Sequence, residues 1–102
     1  MGSDFDLAFT EFLNAVQQGF SAEPEAIRGS LVVSGGSKKI KVMKKGSGAL
    51  FTVCFVEKAT GDILKAASYK AAAKGARGNI YKPTTYESAR TDPYGGWLYA
   101  RH

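Results

Sequence analysis

The stretch Ala49-Leu50-Phe51-Thr52-Val53-Cys54-Phe55-Val56-Glu57-Lys58 sets the tightest limit on what this chain can fold into. Its β-branched and aromatic residues favour an extended strand, and the turn signals Gly46-Ser47-Gly48 and Ala59-Thr60-Gly61-Asp62 close it at both ends. Phe51, Val53 and Phe55 share one side of such a strand, while Leu50, Thr52, Cys54 and Val56 share the other. A strand apolar on both sides belongs in the middle of a sheet, or has one face covered by later chain. Segments of period two flank it at residues 31–33, 38–45 and 63–67. Gly35-Gly36 predicts a hairpin between the first two, and the short loops predict antiparallel neighbours throughout. Residues 31–67 therefore read as a four-stranded antiparallel meander.

Such a sheet needs a covering layer. Phe5, Phe9, Phe12, Leu13 and Val16 recur at helical spacing and predict an amphipathic helix over residues 4–18. Asp4 and Asp6 suit its positive N-terminal end, and Gly19 is the expected stop. Pro24 and Gly29 bracket one or two helical turns. Ser68 and the alanines Ala71-Ala72-Ala73 predict a short helix over residues 69–74, ended by Gly75. Past Gly78, Pro83 keeps its predecessor out of the helical region, and Trp97-Leu98-Tyr99-Ala100 reads as a last strand, so residues 79–102 are expected to be extended. The fold class is α+β: an N-terminal amphipathic helix packed on a four-stranded antiparallel meander, a short second helix and an extended C-terminal segment, in one domain over residues 1–102.

Catalytic signatures are missing from this pattern. Cys54 lies in the apolar run, where a buried, inert thiol is the plain reading, and with His102 it cannot supply a zinc site of about four ligands. His102, the one histidine, is terminal and offers no base for a nucleophilic triad. The glycine-rich loops at Ser34–Lys38 and Gly46–Gly48 lack Walker spacing. No catalytic residue, metal ligand or cofactor is therefore expected, and the protein is read as a non-enzyme. There is no apolar run long enough to span a membrane and no signal-peptide pattern, so no membrane partner is expected either.

Charge points to a different class. The chain carries a net +5, distributed unevenly. Residues 1–37 hold five acids against Arg28, a balance of −4, whereas residues 38–102 hold ten lysines and three arginines against four acids, a balance of +9. Basic surfaces attract polyanions because phosphate contacts release counterions. Lys38, Lys39, Lys41, Lys44 and Lys45 lie along one hairpin, Lys70, Lys74 and Arg77 surround the expected short helix, and Tyr69, Tyr81, Tyr86, Tyr94, Trp97 and Tyr99 interleave with them. Binders of single strands combine a cationic groove with aromatic faces for stacking. Each feature also has a plainer reading: lysines protect edge strands from aggregation, tyrosines pack their rings with a wet hydroxyl, and alanine with lysine makes a soluble helix.

The segments Val53–Ser68 and Ala73–Tyr81, with the ending Asp92-Pro93-Tyr94-Gly95-Gly96-Trp97-Leu98-Tyr99-Ala100-Arg101, resemble small uncharacterised proteins of tailed bacteriophages and marine viral metagenomes. The likeness covers roughly the C-terminal half and implies a viral protein in the cytoplasm of an infected bacterial host. It brings no functional residues. The expected function is non-catalytic binding of nucleic acid, single-stranded favoured, mainly through the phosphate backbone. Lys39, Lys41, Lys44, Lys70, Lys74 and Arg77 would meet phosphate, and Tyr69, Tyr81 and Trp97 would stack or wall the groove. The competing reading is a protein-interaction or virion-associated module that forms a homodimer or docks on a host protein.

Overall fold

The computed structural model describes residues 3–24, 28–46, 48–68, 71–92 and 96–99. Its first element, α1 (Ser3–Phe20), follows from the phenylalanine stripe, with Asp4 and Asp6 in the first turn where the helix dipole favours negative charge. Phe12, Ala15, Val16 and Phe20 are buried along one side, and Phe5 and Phe9 stack at 5.6 Å between ring centroids. The helix passes through Gly19 rather than stopping there. Its last carbonyls are taken up by tightening turns, Ala22 N–H to Gly19 C=O at 3.0 Å and Glu23 N–H to Phe20 C=O at 3.1 Å. The helical turn expected around Pro24 falls partly on residues 25–27, outside the described residues; Ala22, Glu23 and Pro24 are not helical.

Five strands follow in a pure antiparallel meander: β1 (Ser30–Gly35), β2 (Lys39–Gly46), β3 (Ala49–Glu57), β4 (Asp62–Ala66) and β5 (Ala72–Asn79), each paired with its neighbours in sequence. The sheet thus has one strand more than the sequence predicts. β5 occupies the stretch expected to be a short helix at 69–74; residues 69 and 70 lie outside the described residues. Alanine's helix preference loses because Ala72, Ala76, Gly78 and Asn79 pair with Ala66, Leu64, Ile63 and Asp62, satisfying backbone groups that an isolated turn of helix would leave exposed. The register slips twice along β5, and Gly75 takes φ +92° in that stretch, a conformation that glycine adopts without strain.

The second face of the molecule is the larger departure. Residues expected to be extended instead form three 3-10 helices, Pro83–Thr85, Glu87–Thr91 and Gly96–Tyr99. They carry Tyr86, Ala89, Trp97 and Leu98 into the core, beside α1 and against Val42, Cys54, Val56 and Ile63 of the sheet. Its apolar residues are buried by these short helical turns. Trp97 and Tyr86 meet the edge of Phe12 at 6.0 and 5.1 Å. The Tyr86 hydroxyl is buried with no hydrogen-bond partner among the described residues, and burial raises its pKa.

The GNIYKP stretch locks this layer to the sheet. Asn79 donates its side-chain amide to the Thr60 carbonyl at 2.9 Å and to Asp62 Oδ1 at 3.0 Å, and accepts the Tyr81 N–H at 2.8 Å. Ile80 N–H reaches the Gly61 carbonyl. Gly61 holds φ +77°, and a Cβ there would lie 2.7 Å from the Tyr81 ring.

Candidate functional site

The helical layer covers one face of the sheet, the face that carries Val42, Cys54, Val56 and Ile63. Side-chain alternation puts Lys39, Lys41, Met43 and Lys45 of β2 on the other face, with Phe55 opposite Lys41 and Ser34 opposite Lys41 on the far side. No helix lies over this face among the described residues, yet Met43 and Phe55 are each only 5% exposed. The sheet covers them itself by coiling. A cleft of about 560 Å³ is walled by Ser34–Lys39 of the first hairpin, floored by Lys41 and Phe55, and closed on the far side by Ala71 and Ala72 at the start of β5. In a flat sheet β1 and β5 would stand about 19 Å apart, so one cleft touching both requires the strong right-handed coil that the bulges in β3 and β5 supply.

The local sequence explains the wall. β1 runs through Gly35, and Gly36 N–H closes the turn on the Lys39 carbonyl at 2.9 Å. Neither Gly35 nor Gly36 uses positive φ. Gly36 is needed because a Cβ would come within 2.9 Å of that same carbonyl. The turn projects Ser37 and Lys38 from the rim, both exposed. Lys38 is backed by β3, its carbonyl accepting the Lys58 N–H at 2.9 Å. Lys39 stands opposite Glu57 in the ladder.

Of the residues expected to bind phosphate, Lys39 and Lys41 therefore meet in the cleft, and Lys38 joins them although the sequence does not single it out from its neighbours. Lys74 and Arg77 lie on β5, the edge strand whose first residue closes the cleft. Tyr69 and Lys70 lie outside the described residues. Two expectations are corrected. Trp97 is 4% exposed and buried against Phe12, so it has no face for a base. Lys44 is on the helix-facing side, where its ammonium pairs with Glu23 Oε1 at 2.6 Å and sits 5.1 Å from the Phe20 ring centroid. Tyr81 is 47% exposed but stands on Gly61 at the β3–β4 turn, among residues that do not line the cleft. Among the described residues, the cleft therefore carries no aromatic side chain but the buried ring of Phe55.

Glu23, just before Pro24, is a buried carboxylate. It bonds to Lys44 and also accepts the Gly29 N–H at 3.3 Å, while Gly29 leaves room for the Lys44 stem, which a Cβ would strike at 2.3 Å. The Lys44 hydrogen bond holds the Glu23 carboxyl below its ordinary pKa of 4.5. The pair therefore stabilises the fold above about the unfolded value and loses that contribution as the pH falls through the lowered one. Thermal midpoints measured from neutral to strongly acidic pH should fall at the acid end, and Glu23→Gln should flatten that acid limb while lowering the midpoint at neutral pH.

Burial pushes the Cys54 thiol pKa far up, which leaves it un-ionised and inert. No group of three His, Cys, Asp or Glu side chains among the described residues could hold a metal ion. No described helix is long and apolar enough to cross a membrane. The chain belongs to a family of unknown function (DUF7717), whose model matches residues 7–100. The match takes in nearly all of α1 as well as the C-terminal half, and its description assigns no activity. No curated protein and no solved structure gives a significant match.

Proposed function

We propose that this member of the family binds a polyanion, single-stranded nucleic acid, along the concave face of its coiled sheet. One observation carries the reading: Lys38, Lys39 and Lys41 converge with the hydroxyls of Ser34 and Ser37 on one cleft. Ammonium groups and hydroxyl donors suit phosphate oxygens, and a cationic groove that tracks the backbone is the form that single-strand binding takes. Lys74 and Arg77 lie further along β5, the strand whose start bounds the cleft. Among the described residues no exposed ring lines the cleft, so binding is led by the backbone and tolerant of sequence.

Affinity for a labelled oligonucleotide, measured by fluorescence anisotropy across a salt series, should fall steeply with salt. Each phosphate contact in a single strand contributes about 0.7 to the slope of log K against log salt. The triple variant Lys38→Ala, Lys39→Ala, Lys41→Ala should lower that slope by about 2 and weaken binding at least roughly tenfold at low salt. Lys82→Ala, an exposed charge outside the cleft, should change the slope by less than about 1. An equal loss per charge removed in the two variants would mean a diffuse charge effect and would rule out the cleft.

A further inference from the structure

The two edges of the sheet are built differently. β5 is defended: it carries Lys74 and Arg77, slips register twice and holds a left-handed glycine, all of which spoil pairing with another strand. β1 has none of these devices. Its six residues, Ser-Leu-Val-Val-Ser-Gly, contain no charge and no proline, and they pair with β2 in unbroken register from Ser30–Lys45 to Gly35–Ile40. No described residue outside β2 hydrogen-bonds to the β1 backbone. Half of its N–H and C=O groups therefore point outward along an unbulged, uncharged edge, and Val33 is 40% exposed beside it.

We infer that β1 is a homodimer interface, pairing antiparallel with β1 of a second copy about a two-fold axis at Val32. A second copy fits this edge better than an unrelated strand because β1 is complementary to itself in this register. A two-fold axis perpendicular to the joined sheet keeps each side chain on its own face. Val32 then meets the partner's Val32, Leu31 meets the partner's Val33, and Ser30 meets the partner's Ser34. Apolar side chains face apolar ones on both faces, and serine hydroxyls face each other, the pairs that stabilise adjacent strands. Shifting the register by one residue would set side chains of opposite faces against each other. The absence of charge on β1 matters in a chain of net +5, because the joined edge adds no repulsion of its own. The inference does not depend on what the cleft binds.

Sedimentation of the full chain over a wide concentration range should show a dimer at the upper end. Val33→Lys places a charge on the exposed side of the edge and should shift the chain from twice its mass to once, with unchanged circular dichroism. Val32→Cys puts a thiol opposite its own symmetry mate, and mild oxidation should link two chains through it; Cys54 is buried and takes no part. A parent chain that remains monomeric at every concentration overturns the inference. So does a dimer that survives Val33→Lys, or one that Val32→Cys fails to cross-link. If Val33→Lys does not fold, the cross-link alone decides.

Discussion

Gly19→Ala should unfold this protein at a markedly lower temperature, although alanine is the better helix former and Gly19 lies inside α1. A Cβ at that position would sit 2.0 Å from the Ala89 carbonyl oxygen and 2.8 Å from that of Asp92. Both are backbone atoms, so no side chain can swing aside. The helix and the 3-10 segment Glu87–Thr91 would have to separate, and that contact holds Ala89 and Tyr86 in the core. Overpacking costs typically about 1–3 kcal/mol, and a backbone clash belongs at or above the top of that range. Against it, alanine returns only about 1 kcal/mol of helix propensity. Chemical denaturation should show a net loss of about 2 kcal/mol or more. Gly35→Ala is the matched control: nothing lies within 4 Å of its Cβ position, and its stability should change by less than about 0.5 kcal/mol. Equal, small effects at the two glycines would mean that the two layers do not approach as closely as described.

Phe12→Ala should be as damaging for the opposite reason. Phe12 is fully buried and its ring is the point where α1 meets Tyr86 and Trp97 together. Removing it opens a cavity between the helix and the C-terminal turns, neither of which can collapse without leaving the sheet. Phenylalanine deletions in cores cost about 3–5 kcal/mol. Trp97 reports the change directly: its emission should move to longer wavelength and become open to quenching by iodide in the variant. A parent chain whose tryptophan is already quenched by iodide would contradict the burial of Trp97 and return it to the list of residues that could stack on a base.

Much of the fold follows from period and punctuation alone. The helical spacing of Phe5, Phe9, Phe12 and Val16 and the alternation from Leu31 to Ala66 are local signals, and each is read from a few neighbouring residues. So are the turns at Gly61 and at Gly48, which holds φ +71°. The basic hairpin is legible in the same way, and Lys39 and Lys41 reach the cleft because strand alternation alone sends them to the face opposite the helix.

What the sequence could not decide depends on partners distant along the chain. Ala72–Asn79 becomes a strand because β4 offers it a ladder, and Lys44 is sequestered because Glu23, far upstream, arrives beneath it. Trp97 is a core residue because Phe12, at the other end of the chain, packs against it. Gly19 reads as a helix stop, yet its role is to let a later turn approach. Local propensity amounts to tenths of a kcal/mol per residue, whereas burying an aromatic ring, or leaving a buried charge without its partner, outweighs it several-fold. The sequence by itself therefore determined the N-terminal helix, the first four strands of the meander and which lysines alternate together. The tertiary structure alone decided which of those lysines and aromatics face solvent, because that depends on coiling the sheet and closing a second layer over it.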